Sequence, residues 1–283
     1  MNRLIALLCF TSLPLAAQEP PRRAPVPFTL RERVASGAWL RVHNANGPVD
    51  VLAADGWEAE IRGEPTSRAG RPDDRELRYE VLREGGDLIV CVLEDFQSCG
   101  PSGVSGHSGN RRYRGESPSA AITVRIPRGV KLAASSGNGE VRVAGATSEV
   151  DVSSGNGDVS VEGTGDRVTA GSGNGDIRVT TTRGPVSAKT GNGEVWVRMD
   201  ALGPEAPMDF TSGNGGVTVL LPGTFEGEVE IMTGNGEFQS DFPITTQGRF
   251  SMHRLRGRIG KGGPQLRLRT GNGDIELRRV AAR

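Results

Sequence analysis

Four carboxylates recur at one spacing. Glu140, Asp158, Asp176 and Glu194 each follow an asparagine by two residues, and each lies 18 residues from the next. The series continues, with looser spacing, through Gly216, Glu237 and Asp274. Acids stacked about 5 Å apart repel one another unless water, neighbouring arginines or a cation screens them. A solvated acidic edge is the plainer reading, and a weak calcium site at Glu140, Asp158, Asp176 and Glu194 is the chemical alternative. The phrase superficially resembles calcium-binding nonapeptide repeats. It departs from them because Asp follows Gly directly, the period is 18 and not nine, and Glu or Gly replaces Asp in several repeats. Trp196 lies beside Asp176 and Glu194 in this scheme, and an aromatic next to carboxylates could contact a sugar or, with a suitable cleft, help cleave one. That enzyme reading requires an inserted loop, expected to be 95–119, lying over the acids.

Other reactive groups are scattered. His43, His107 and His253 stand in three different contexts, and no His-Glu-x-x-His, Cys-x-x-Cys, nucleotide-binding loop or nucleophile elbow is present. The sequence therefore points to a protein that is not an enzyme and carries no cofactor, calcium being the one candidate. Formal charge is balanced, with 34 basic and 34 acidic residues, which argues against a nucleic-acid partner.

The elements that must position these groups follow from the repeat. Ser136-Gly137-Asn138-Gly139-Glu140-Val141-Arg142-Val143 returns at Ser154–Val161, Ser172–Val179 and Thr190–Val197, so Asn138, Asn156, Asn174 and Asn192 are spaced by 18 without slippage. Each repeat holds two short alternations of β-branched residues, one before the glycines (Val150-Asp151-Val152) and one after (Val159-Ser160-Val161). Gly-Asn-Gly between them is a sharp corner.

Two architectures fit. In a hairpin meander each strand pairs antiparallel with its sequence neighbour. In a parallel β-solenoid each 18-residue, two-strand unit is one coil, and like strands stack about 4.8 Å apart. The invariant period favours the solenoid, because it drops each chemical type into a column. Val150/Val168/Val186, Val152/Ala170/Ala188 and Val159/Ile177/Val195 would face inward. The asparagines would form a corner ladder of amide hydrogen bonds, continued by Asn214, Asn235 and Asn272 after steps of 22, 21 and 37 residues. The last step is close to two periods, so a degenerate coil is expected between Asn235 and Asn272, around Gly257-Arg258-Ile259-Gly260.

Met1–Ala17, with a basic start, an apolar run and small residues at its end, reads as a secretory signal too short to be a membrane span. Residues 18–37 read as a Pro-rich linker and 38–120 as a β-rich N-terminal region or cap containing the long loop 95–119. The solenoid is expected over 121–280. No transmembrane span is visible in the chain after 17, and the expected location is the periplasm, cell surface or extracellular space, with an unidentified surface, glycan or envelope partner. Cys91 and Cys99 are the cysteines left after the signal. In an oxidising compartment they suggest a disulfide at the root of the loop, two free thiols being the alternative.

The combination resembles the bacterial "putative-adhesin" domain family of exported repeat proteins. The resemblance is carried by Asn46-Gly47-Pro48-Val49-Asp50-Val51 with Trp57, by Val124-Arg125-Ile126-Pro127-Arg128-Gly129, by the Ser/Thr-Gly-Asn-Gly-Asp/Glu phrases, and by Gly263–Ile275, across about residues 38–278. It implies a structural or adhesive role and brings no catalytic residues.

Overall fold

Alternating β-branched residues cannot bury both faces of an isolated coil, so each coil needs neighbours above and below. The computed structural model, which describes residues 22–66, 77–94, 97–106, 118–146, 148–164, 166–202, 206–246 and 253–280, meets that need by stacking them. The expected signal 1–17 and His107 lie outside the described residues. The fold is all-β, a solenoid of two facing sheets with 13 and 11 strands among the described residues.

Within each coil the strand before the corner joins one sheet and the strand after it joins the other. Val150–Asn156, Val168–Asn174 and Val186–Asn192 pair in parallel with Val150 opposite Val168 and Val168 opposite Val186. Val159–Thr164, Ile177–Thr181 and Val195–Met199 do the same in the second sheet. The hairpin alternative would put both strands of a coil in one antiparallel pair, and that pairing is not the one formed.

Inward positions make continuous buried columns. One runs Val42, Ala134, Val152, Ala170, Ala188, Phe210, Leu268, Ile231 and is small at the start and large at the end. Across the core Val49, Val141, Val159, Ile177, Val195, Val217 and Ile275 are all buried. One apolar cluster extends from Phe28 to Leu277, so the residues around 38–120 and the repeats share a core.

Both ends abandon parallel pairing. At the N-terminal end Asp87–Leu93 and Ala120–Ile126 stack in parallel on Trp39–Asn44 and Val49–Ala53. Arg78–Glu84 and Glu58–Pro65 then pair antiparallel outside them. At the other end the order differs from the expectation. Gln265–Asn272 lies between Met208–Asn214 and Gly227–Asn235, pairing in parallel with both. No degenerate coil separates Asn235 from Asn272. Arg254–Ile259 instead returns antiparallel along Gly227–Asn235, capping the sheet and carrying the chain back so that its last coil enters the stack one place early.

The described part of the 95–119 loop is ordered where a plain surface loop was expected. Gln97–Gly100 and Gly103–Gly106 form a hairpin. A Cys91–Cys99 disulfide, with Cα atoms 5.7 Å apart, ties it to the sheet. Cys99 and Val104 pack on the buried Ile89, Cys91 and Leu93.

Candidate functional site

The Gly-Asn-Gly corner places every group singled out in the sequence. Its second glycine takes a positive φ, 150° at Gly157, and a side chain there would run into the Gly139 carbonyl of the coil beneath. The first glycine is needed for a different reason, close approach. A Cβ on Gly155 would sit 2.5 Å from the Gly137 carbonyl oxygen. Tight stacking brings the asparagine side chains into register, and each Nδ2 donates to the Oδ1 of its neighbour. Asn156 donates to Asn138 (2.8 Å), Asn174 to Asn156 (2.8 Å), Asn192 to Asn174 (2.7 Å) and Asn214 to Asn192 (2.7 Å). Asn272 then donates to Asn214, and Asn235 to Asn272, both at 2.7 Å. Two residues earlier a buried hydroxyl braces the same joint, Ser154 to the Gly139 carbonyl, Ser172 to Gly157 and Thr190 to Gly175.

The acids follow the corner. Asp158 accepts from the backbone N–H of Asp176, Asp176 from that of Glu194, and Asp274 from that of Glu237, each at 2.8 Å. One oxygen of each aspartate is thus engaged by the neighbouring coil, a use that the sequence reading missed. Its signal is the shorter side chain. Glu140, one methylene longer, turns instead to Arg142 at 2.6 Å.

Glu140, Asp158, Asp176 and Glu194 do share one shallow groove of about 250 Å³ with Ser160, Arg178 and Trp196. The guanidinium of Arg178 lies 4.5 Å from the centre of the Trp196 ring. Thr218 is the cross-strand neighbour of Trp196 in the next coil. The indole is therefore packed between side chains of the adjacent strands, and it is half-buried. Among the described residues no three His, Cys, Asp or Glu side chains gather as a metal-binding group. The described hairpin of the 95–119 loop packs against Arg78–Glu84, Asp87–Leu93 and Trp39–Asn44, not over the acidic groove.

One polar pair appears that the sequence reading did not anticipate. His43 is buried at the N-terminal end and its Nδ1 lies 2.7 Å from Ser135 Oγ. Burial, chiefly, holds its imidazole down to about 4; the nearby Arg41 charge adds to this and a hydrogen bond toward the Pro101 carbonyl opposes it. Register was the available signal, since His43 and Ser135 both stand three residues before a corner asparagine, Asn46 and Asn138. His253 lies far away and is exposed.

The family model described as Toastrack DUF4097 matches residues 104–278. A crystal structure of a "putative cell adhesion protein" from Clostridium sporogenes ATCC 15579 is similar at 12% identity, over 90% of this chain and 100% of that one, with a TM-score of 0.38. A crystal structure of a "putative adhesin" from Bacteroides fragilis NCTC 9343 is similar at 13% identity, over 89% and 96%, with a TM-score of 0.43. No curated protein matches the chain.

Proposed function

We propose, from the premise that this chain belongs to the Toastrack DUF4097 family, that it is a non-catalytic module exported to the cell envelope or beyond, where its β-stack acts as a structural or attachment surface. The observation that carries this reading is the commitment of the corner. The polar groups that looked available for chemistry, the asparagine amides, the Ser/Thr hydroxyls and the aspartate carboxylates, hydrogen-bond to adjacent coils. Two many-stranded sheets over a continuous core supply rigidity and area, which suits display and contact. The Cys91–Cys99 disulfide fits an oxidising compartment outside the cytoplasm.

The test uses the folded chain without residues 1–17. Retention on a panel of immobilised glycans and adherence of coated beads to bacterial cells are measured side by side. Retention in either assay, lost on thermal unfolding, is the expected result. A folded protein that is negative in both removes the attachment role and leaves a purely structural one.

A further inference from the structure

The outer face of the first sheet ends in an unbalanced cluster of charge. Glu230 sits on the strand between Gln265–Asn272 and Arg254–Ile259, with Arg267 opposite on one side and Arg256 on the other. Its Oε1 accepts from Arg254 at 2.8 Å and from Arg256 Nη2 at 2.7 Å. Its Oε2 lies 3.4 Å from Arg269 and 3.7 Å from Arg267. The Glu230 side chain is only 8% exposed, whereas the arginines remain 40–64% exposed.

One carboxylate cannot use what four guanidiniums offer. Each guanidinium carries five N–H donors, and a carboxylate has about four acceptor sites. Nε of Arg267 and Nε of Arg269 are buried and make no hydrogen bond to described residues, so they face no ligand from solvent. Glu230 gathers the four arginines, and the part of each side chain that stays exposed carries the cluster's excess positive charge outward. The adjoining Lys189 and Asp209 pair at 3.4 Å and neutralise each other. Strand spacing sets the Arg267/Arg269 row roughly 10 Å from the Arg256/Arg254 row at the backbone, and the side chains converge until each guanidinium has a nitrogen within 3.7 Å of the Glu230 carboxylate. The face continues across small residues, Ser187, Thr169, Gly171 and Ser153.

We propose that this arginine cluster is a docking surface for an extended acidic polysaccharide, one whose carboxylates or sulfates recur along the chain and meet the guanidiniums in two-pronged hydrogen bonds. A compact, partly exposed group of four guanidiniums around one carboxylate keeps an excess of positive charge, which suits the recurring anionic groups of a linear polyanion. A bilayer is a poorer fit. The exposed large apolar side chains among the described residues are Leu52, Trp57 and Leu202, none of them in the cluster. Single-stranded nucleic acid is a poorer fit as well, because the cluster lacks an aromatic side chain for bases to stack on. The inference rests on the attachment reading and names the face and the ligand class for it.

The experiment measures binding of the purified chain without residues 1–17 to polygalacturonate, with neutral dextran, phosphatidylglycerol vesicles and duplex DNA as parallel arms. Polygalacturonate binding that falls steeply with added salt, with dextran inert, is expected. The Arg254→Ser/Arg256→Ser variant, which leaves Glu230 with Arg267 and Arg269, should weaken binding about tenfold or more. An Arg31→Ser/Arg33→Ser variant at the opposite end, also removing two exposed arginines, should bind as the parent does. No polygalacturonate binding, equal binding by the cluster variant and the parent, or tighter binding to vesicles or DNA overturns the inference. Cell adherence separates the two proposals. A parent that adheres together with an equally adherent cluster variant removes this face and keeps the attachment role. A parent that does not adhere, yet binds polygalacturonate through the cluster, removes adhesion to cells and keeps this ligand.

Discussion

Asn272 donates its side-chain amide to Asn214 at 2.7 Å, across 58 residues of sequence, while Asn235, much nearer in sequence, reaches only the far side of Asn272. The outward charges give a reason for this order. Reading across the strands at one level, Asp209, Arg267, Glu230 and Arg256 alternate in sign. Stacking in sequence order would set Asp209 directly against Glu230, a like-charge pair that costs stability in a sheet. The last coil enters between them and supplies the missing cation.

That order has a covalent test. Neighbouring strands are about 4.8 Å apart, within the roughly 4.4–6.8 Å that a disulfide spans between Cα atoms, whereas strands two apart are not. An Asn214→Cys/Asn272→Cys variant should therefore oxidise to a bridge detected by mass spectrometry of the digested protein. Asn214→Cys/Asn235→Cys should stay reduced under the same conditions. The opposite pattern would restore simple sequence order to the stack.

The two kinds of corner residue should respond very differently to alanine. Asn156→Ala removes exposed amide hydrogen bonds and should cost about 1 kcal/mol or less in urea unfolding. Gly155→Ala and Gly157→Ala force Cβ atoms into backbone of the adjacent coil and should each cost more than about 2 kcal/mol. The chain contains its own control. Ala45 occupies the first-glycine position of the Asn46 corner, so Ala45→Gly should change stability little, while Gly137→Ala, whose Cβ would press on the Ala45 carbonyl, should be severe.

Those corners explain how much of the fold was legible. Val150, Val168 and Val186 recur because they face the same core, and parallel stacking is the arrangement that turns a constant period into columns. The entry of the Asn272 coil between those of Asn214 and Asn235 was hidden for the same reason. Identical columns stack in any order, so the period carries no information about it. What differs is outward charge, at Asp209, Arg267 and Glu230, which alternation does not reveal until strands are paired. The arginine cluster was missed likewise, since Glu230, Arg256 and Arg267 come from three strands. The acidic column was an expectation from the period alone, but the groove it shares with Trp196 and the bonds that Asp158 and Asp176 accept from the next coil's amides depend on a corner geometry that spacing does not express.

Glu230 should also mark the acid limit of the C-terminal cap. Hydrogen bonds from Arg256 and Arg254 hold its carboxyl down to about 2, from an ordinary 4.5. A depressed folded-state value means that its stabilisation is complete above about 4.5 and is lost as pH falls toward 2. The stability gap between the parent and Glu230→Gln should accordingly be largest near neutrality and shrink across that window, read as midpoint denaturant concentrations at successive pH values. A gap that stays constant from pH 5 to pH 2 would show that the carboxylate charge is not what the arginines hold.

His43 predicts a separate, milder acid response at the other end. Its imidazole is lowered from 6.5 to about 4, so between those values the unfolded chain takes up a proton that the folded chain refuses. Stability should decline as pH drops from about 6.5 to about 4 and gain no further loss from this group below that. Gly103 of the disulfide-tied hairpin stands beside the ring, where an added Cβ would lie 3.7 Å from Nδ1, so charging the imidazole should act first on that hairpin. With the intrinsic slowing of exchange toward acid divided out, protection of the amides in residues 97–106 should therefore fall through this range while the Asn156 and Asn174 coils stay protected. His43→Gln should flatten the response. Cys99→Ser, which releases the hairpin at a cost of roughly 2–3 kcal/mol, should raise exchange at those amides at every pH. If the protection factors of the hairpin amides stay constant from pH 6.5 to pH 4 in the parent, burial of His43 is not what couples that end of the stack to acid.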